Sequence, residues 1–188
     1  MRLVVATRNP HKRRELERLL PGHDIELLPD DVELPPETAD TFAGNALPKA
    51  RAAAQALGRA AIADDSGIEA AALGGAPGVR SARYAGEHAN DADNLAKLRA
   101  QAPPGSALAY VCALAYVDPE REQLFEGRCE GTMSAQARGE RGFGYDPVFL
   151  PDQGDGDRTM AELTDEEKDA ISHRGHAARA LQSWLDPT

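Results

Sequence analysis

Two adjacent carboxylates, Asp64 and Asp65, follow a short apolar run in the segment IADDSGIEAA (62–71). Successive side chains of a strand point to opposite faces, so the two carboxylates cannot both be buried at low cost. At the end of a strand, one carboxylate can bind a divalent cation while the other supports it, and Mg²⁺ favours one or two carboxylates with phosphate oxygens and waters. The pair therefore indicates either a magnesium site or an ordinary acidic turn, since Asp, Ser and Gly all favour turns.

A strand-to-helix junction in TRNPHK (7–12) is suited to phosphate. Asn9 as N-cap and Pro10 at the first helical position predict that a helix begins here. Free backbone N–H groups and the helix dipole favour an anion at such a junction, and Lys12 adds a point charge for the terminal phosphates. The alternative is that Asn9 only caps a helix.

A third group of candidates surrounds the helix predicted from about residue 40 to residue 57. Asn45 and Lys49 are four residues apart, so they share one helical face if Pro48 does not break the turn between them. Glu37 precedes the helix, where it could reach a metal held by Asp65. The alternative is a solvated helix face with a charged entry loop.

Two segments nearer the C-terminus carry groups that suit a nucleotide. In GFGYDPVF (142–149), glycines flank Phe143, and flexible backbone around aromatic rings suits stacking on a planar base, although a core-packed turn remains an alternative. In KDAISHRG (168–175), a cation and the donors of His173 and Arg174 could bind phosphate and read a carbonyl edge. A basic helix surface is the alternative for this second segment.

The composition favours a soluble globular protein over a membrane protein or a nucleic-acid-binding protein. The 188 residues are 41% hydrophobic and 28% charged, as is typical of soluble globular proteins. No apolar run approaches the ~20 residues that span a bilayer, and the first residues show no cleavable signal pattern. The net charge of −10 argues against broad electrostatic binding to nucleic acid or anionic membrane. The two cysteines lie in strand-like segments, so we expect a reduced, cytoplasmic protein.

The elements that must position these residues alternate along the chain. Apolar runs predict strands at 2–7, 24–29, 60–66 (ending on the acidic pair), 107–118 and 122–135, the last two as an antiparallel pair. Helical periodicity and capping residues predict helices after Asn9, over about 40–57, over 91–102 and over 163–185, with a break near Ser172. Since no repeat or linker is present, we expect one α/β domain over residues 1–188 with a mixed sheet.

The chain as a whole resembles the inosine triphosphatase (Ham1-like) family of house-cleaning nucleoside triphosphate pyrophosphatases. The resemblance runs through TRNPHK, ETADTFAGNALPKA, ADDSGIE, PGVRSARYAG, GFGYDPVF and TMAELTDEEKDAISHRGHA. It implies an elongated mixed β-sheet flanked by helices, forming two lobes with the active-site cleft between them. It also implies a homodimer, a Mg²⁺ requirement, and hydrolysis of dITP, ITP and XTP to the monophosphate and pyrophosphate, which removes deaminated purines from the nucleotide pool.

The family pattern also implies roles for individual residues. Asp65 is expected to be the catalytic base, and Glu37 and Asp65 are expected to hold the metal. Substrate contacts are expected from Thr7, Arg8, Asn9, Pro10, His11, Lys12, Lys49, Ser66, Phe143, Gly144, Tyr145, Asp146, Lys168, His173 and Arg174. The donors of His173 and Arg174 would favour the keto group of hypoxanthine or xanthine over the amino group of adenine.

Three other functions are alternatives to this one. A phosphatase or pyrophosphatase of pyrimidine nucleotides, as in the related Maf-like proteins, would differ in its base preference. A nucleotide sensor would bind dITP with Mg²⁺ without turnover, although Glu37, Asp65 and Lys12 argue for catalysis. A structural scaffold would have no reason to gather these groups.

Overall fold

A computed structural model describes residues 1–186 and contains a mixed six-stranded sheet flanked by helices. The strands are β1 (Arg2–Val5), β2 (Asp24–Leu27), β3 (Ala61–Ala70), β4 (Ala107–Val117), β5 (Glu122–Met133) and β6 (Phe149–Pro151). The α-helices are α1 (Pro10–Leu19), α2 (Phe42–Leu57), α3 (Asp91–Gln101), α4 (Asp165–Ile171) and α5 (His173–Leu185). The strand order is β2-β1-β3-β4-β5-β6. Strand β1 runs parallel to β2 and β3, whereas β5 and β6 are antiparallel, so the expected mixed sheet is confirmed.

The chain divides into two compact units. Unit 1 comprises residues 1–65, residues 112–127 and the chain from Arg174 onward, and unit 2 comprises residues 66–111 and 128–173. The single domain expected over residues 1–188 stays a prediction. No helix within residues 1–186 combines the length and the apolar character needed to cross a membrane.

Unit 1 has an apolar core to which α1 and α5 contribute side chains. Buried side chains of β1 and α1, such as Val5 and Leu16, pack with Leu181 of α5. Helix α1 begins at Pro10 because the side chain of Asn9 accepts hydrogen bonds from the first backbone N–H groups of the helix. The predicted N-cap, Asn9, therefore fixes where α1 begins after β1.

Helix α2 in unit 1 contains a proline but is not broken by it. Its start is capped by Thr41, whose hydroxyl accepts from the backbone N–H of Gly44 at 3.0 Å. Its end is at Gly58, which has the left-handed φ of 63° that the sequence predicts for a terminating glycine. Pro48 lies on the exposed side, and the helix continues to Leu57.

Unit 2 has its own core, and capping boxes fix the starts of its helices α3 and α4. Phe149, Val148 and Leu98 are buried members of that core. Asn90 caps α3, and Thr164 with Glu167 forms the expected capping box at the start of α4. Helix α4 ends at Ile171 and is followed by its C-cap, Ser172, which confirms the predicted break in the long C-terminal helical segment.

The strand that carries the acidic pair does not end there, so that expectation was wrong. Strand β3 continues through Ala70. Gly67 favours a turn by residue type, but a Cβ at this position would lie 2.4 Å from Ser81 Oγ and 2.5 Å from the Gly78 carbonyl oxygen. The glycine permits close packing within unit 2 rather than a turn, and the apolar side chain of Ile68 is buried beyond it.

Candidate active site

Asp64 lies at the centre of a buried ion-pair network in unit 1. Its Oδ2 accepts from Arg174 Nη2 at 2.8 Å, and Lys12 Nζ lies 3.3 Å from the same oxygen. Arg174 also pairs with Glu15. Burial by itself would raise the pKa of Asp64, but the charges of Lys12, Arg174 and Lys49 outweigh it and hold that pKa far below its usual range. The neighbouring cations therefore favour the ionised form of Asp64.

Sequence reasoning missed Glu15, which is buried on α1. Lys12, Glu15, Leu16 and Leu19 have the spacing of one helical face, and that spacing was the signal that could have placed Glu15 against the core. Glu15 and Asp64 together engage the guanidinium of Arg174, which is 1% exposed. The predicted contact between Arg174 and the substrate stays a prediction.

Asp65 has a different environment from Asp64. Its Oδ2 accepts a 2.9 Å hydrogen bond from Asn45 Nδ2. Its pKa is raised, chiefly by burial and further by the nearby carboxylate of Glu37, while Lys12 and other donors oppose the increase. The two neighbouring carboxylates thus have pKa shifts of opposite sign, which is the pattern expected of an ionised anchor beside a proton acceptor.

The side chains of α2 connect Asp64 and Asp65 to the loop that carries Glu37. Lys49 Nζ donates to Glu37 Oε1 at 2.6 Å and to the backbone carbonyl of Asp64 at 2.8 Å. Asn45 Oδ1 accepts from the backbone N–H of Ala39 at 2.9 Å. Asn45 and Lys49 are buried, so they share one face of α2 as expected, and the alternative of a solvated helix face is wrong.

Glu37 and Asp65 are chemically suited to a divalent cation. Their carboxylates interact, since the charge of Glu37 raises the pKa of Asp65. Within residues 1–186, no three or more His, Cys, Asp or Glu side chains form a group that could hold a metal ion. A pair of carboxylates is sufficient for Mg²⁺ when phosphate oxygens and waters complete the coordination, so these residues fit a magnesium ion that binds together with a nucleotide.

Residues of the junction predicted to bind phosphate (7–12) form hydrogen bonds with one another. Asn9 Oδ1 accepts from the backbone N–H groups of His11 at 2.9 Å and Lys12 at 3.4 Å. Thr7 Oγ1 accepts from the backbone N–H of Asn9 at 3.2 Å, and Pro10 is exposed. Asn9 therefore caps the helix, as the alternative proposes, and a phosphate role for residues 7–12 stays a prediction.

Arg8 binds the backbone of the loop that follows β2 in unit 1. Its guanidinium donates to the backbone carbonyls of Leu28 at 3.0 Å, Pro29 at 2.9 Å and Val32 at 2.9 Å. The side chain is 45% exposed. Arg8 thus has a structural contact set, and its predicted contact with substrate stays a prediction.

Asp146 organises the candidate residues of unit 2. Its Oδ2 accepts from Lys168 Nζ at 2.6 Å and from the backbone N–H of Phe143 at 2.9 Å, and its Oδ1 accepts from Tyr110 Oη at 3.0 Å. Lys168 Nζ lies 5.1 Å from the centre of the Phe143 ring. Gly142 has φ 72°, and a Cβ there would lie 2.0 Å from Asp146 Oδ2, so only glycine leaves room for this carboxylate.

The aromatic residues of the 142–149 segment have two different environments. Tyr145 and Phe149 are buried in the core of unit 2, as the alternative of a core-packed turn predicts, and Tyr145 Oη donates to the Ser81 carbonyl at 2.7 Å. Phe143 is half-buried, and the backbone N–H of Gly144 donates to Asp91 Oδ2 at 2.8 Å. Phe143 is therefore the aromatic residue of this segment whose ring is not part of that core.

His173 stacks on a tyrosine that sequence reasoning did not single out. The rings of His173 and Tyr110 are 4.6 Å apart between centres and 8° from parallel. The sequence gives little indication of a role for Tyr110. A tyrosine in the buried strand β4 needs a polar partner for its hydroxyl, and the sequence does not identify that partner. Ser66, also predicted to contact substrate, is half-buried on β3.

Known proteins resemble the chain over nearly its whole length. The dITP/XTP pyrophosphatase of Cutibacterium acnes is 47% identical, with 96% of this chain and 94% of that protein covered. A solved HAM1 protein from Coxiella burnetii is 39% identical with a TM-score of 0.85, covering 98% of each chain. The crystal structure of a nucleoside-triphosphatase, dITP/XTP pyrophosphatase, from Mycobacterium abscessus is 47% identical with a TM-score of 0.75, covering 100% of each chain.

The motifs, the mixed sheet and these relatives agree with one family. The sequence model of the Ham1 family matches residues 3–184. The chain belongs to the Ham1 family.

Proposed function

We propose that this protein hydrolyses dITP, XTP and ITP to the nucleoside monophosphate and pyrophosphate. The observation that carries the proposal is the buried pair of adjacent carboxylates, Asp64 and Asp65. Lys12 and Lys49 contact Asp64, and the charge of Glu37 acts on Asp65. A relative named dITP/XTP pyrophosphatase, 47% identical, supports dITP and XTP among these substrates.

The groups of unit 1 suit the hydrolytic step. Asp65 is the proposed base, because its raised pKa favours taking a proton from water. Asn45 orients the Asp65 carboxylate through its hydrogen bond to Oδ2. Lys12 and Lys49 supply positive charge that offsets the charge on the departing pyrophosphate.

We propose Mg²⁺ as the metal, held by Glu37 and Asp65. When bound, the ion supplies Lewis-acid polarisation of the phosphates and lowers the pKa of water. The pairing of Glu37 with Lys49 gives this carboxylate a fixed position before metal binds.

The groups of unit 2 suit recognition of the base and phosphates. The half-buried ring of Phe143 offers a face for stacking, and Lys168 supplies a cation close to that ring. His173 is proposed to donate to the keto group of hypoxanthine or xanthine, so an adenine amino group in that place would leave the donor unpaired. Asp146 holds the Phe143 turn by accepting from the backbone N–H of Phe143.

We also propose an oligomeric state and a cellular location for this protein. A homodimer follows from the family resemblance. A cytoplasmic location, with neither nucleic acid nor membrane as a partner, follows from the composition, the two unpaired cysteines and the net charge of −10.

A substrate panel with product analysis tests the proposal. The protein is incubated with Mg²⁺ and dITP, XTP, ITP, dGTP, ATP or a pyrimidine triphosphate, and products are separated by ion-exchange chromatography. We expect monophosphate and pyrophosphate from dITP, XTP and ITP, with much slower release from the others. Orthophosphate with a diphosphate product would contradict the bond assignment. A preference for pyrimidines would favour the rival hydrolase, and dITP binding without turnover would favour the sensor.

A further inference from the structure

We infer that Tyr110 is a positioning residue that aligns two substrate-binding groups of unit 2 at once. Its ring faces His173, and its hydroxyl binds the carboxylate that holds Lys168. The inference rests on the proposed function, because it assigns a role toward the same substrates.

The hydroxyl of Tyr110 fixes the orientation of Asp146. Tyr110 Oη donates to Asp146 Oδ1 at 3.0 Å, while Lys168 Nζ and the Phe143 backbone N–H bind Oδ2. Hydrogen bonds on both oxygens set the plane of a carboxylate. Asp146 is 3% exposed, so water does not readily replace a lost donor. Tyr110 therefore controls where Lys168 and the Phe143 turn are held.

The ring of Tyr110 fixes the orientation of His173. The two rings are nearly parallel, 8° apart, with their centres separated by 4.6 Å. The ring of Tyr110 also packs against the ring of Phe149, with their centres 4.7 Å apart and their planes tilted by 42°. Because Phe149 is fully buried, the tyrosine ring is a rigid surface against which the imidazole lies.

These two contacts can be separated by substitution. Tyr110→Phe removes the hydroxyl and keeps the ring against His173. Tyr110→Leu removes both. The hydroxyl should therefore affect binding of every triphosphate equally, whereas the ring should affect the choice between a keto and an amino purine.

The experiment compares steady-state kinetics of these variants on dITP and dATP. Tyr116→Phe is the matched control, because Tyr116 is also buried on β4 and donates to a carboxylate, Asp118 Oδ2, at 2.7 Å in unit 1. For Tyr110→Phe we expect KM to rise roughly tenfold on both substrates, the effect of losing one hydrogen bond to a charged group, with kcat unchanged. For Tyr110→Leu we also expect the dITP preference to fall by about threefold to tenfold, the worth of an aromatic pair.

The inference is overturned if Tyr110→Phe has the KM of Tyr116→Phe, or if Tyr110→Leu keeps the wild-type preference. Should Tyr110→Leu fail to fold in a thermal melt, the Tyr110→Phe comparison decides alone. A wild-type protein that releases no pyrophosphate from dITP overturns the proposed function instead. In that case, dITP dissociation constants of the same variants, measured by titration calorimetry with Mg²⁺, test the role of Tyr110 by the same comparison.

Discussion

Asn45 and Asp65 are joined by a 2.9 Å hydrogen bond from the side-chain amide Nδ2 to the carboxylate Oδ2. The same amide accepts from the backbone N–H of Ala39 through its Oδ1, 2.9 Å away. One side chain therefore couples the proposed base to the segment that follows Glu37. The geometry of the base depends on a residue that carries no charge.

Replacing Asn45 by alanine should impair catalysis more than folding. Without the amide, Asp65 loses a buried donor, and we expect kcat/KM for dITP to fall roughly 10- to 100-fold, as for other residues that orient a metal ligand. Asn94→Ala is the control, because Asn94 is buried and clamps backbone in the same way, at Ala85 and Ala82 in unit 2. An equal loss of kcat/KM in both variants would contradict the orienting role.

Glu37→Gln should weaken the response to Mg²⁺. The change removes one of the two carboxylates proposed to bind the ion and also the negative charge that pairs with Lys49. We expect the Mg²⁺ concentration for half-maximal activity to rise roughly tenfold or more. Glu122→Gln is the control, since it breaks an exposed ion pair with Arg51 of the same helix α2. Identical magnesium titrations of the two variants would remove Glu37 from the metal site.

Glu15→Gln should destabilise unit 1. The substitution leaves the buried guanidinium of Arg174 with reduced compensation, and loss of one partner of a buried ion pair costs about 3–5 kcal/mol. Glu17→Gln, on the same helix but in a partly exposed pair with Arg13, should cost only about 0.3–0.5 kcal/mol. Urea unfolding of the two variants measures the difference, and equal midpoints would show that the buried network contributes little.

Asp146→Asn should weaken substrate binding and stability together. Lys168 and Asp146 are both almost fully buried, and the neutral amide leaves the ammonium without its 2.6 Å carboxylate partner. We expect a higher KM for dITP and a lower melting temperature. Glu69→Gln, which breaks a partly exposed pair with Arg128, should change neither property. A lower melting temperature with wild-type KM would confine Asp146 to a structural role.

Local features of the fold were predictable from sequence, and long-range ones were not. Asn9, Gly58 and Thr164 act on backbone within a few residues, so their capping roles follow from residue type and spacing. The continuation of β3 depends on Gly67 lying against Ser81, a contact across fourteen positions that no local pattern contains. Turn propensity was therefore outweighed by tertiary packing.

The residues of the candidate site were likewise predictable from sequence only in part. Residue types and order pointed to Asp65, Glu37 and Lys49, and the last two proved to be in direct contact. The partners that bury the charges were missed, because Glu15 meets Arg174 across 159 positions of sequence. A sequence names the charged groups but does not say which of them will neutralise one another.

Pyrophosphate release from dITP with Mg²⁺, measured for the wild type and for Asp65→Asn, tests whether Asp65 is the base. The asparagine keeps the size of the side chain but cannot act as a base or an anionic metal ligand. We predict rapid release by the wild type and its near abolition in Asp65→Asn, with the melting temperature largely retained. Release by Asp65→Asn at the wild-type rate would contradict the assignment of Asp65 as the base.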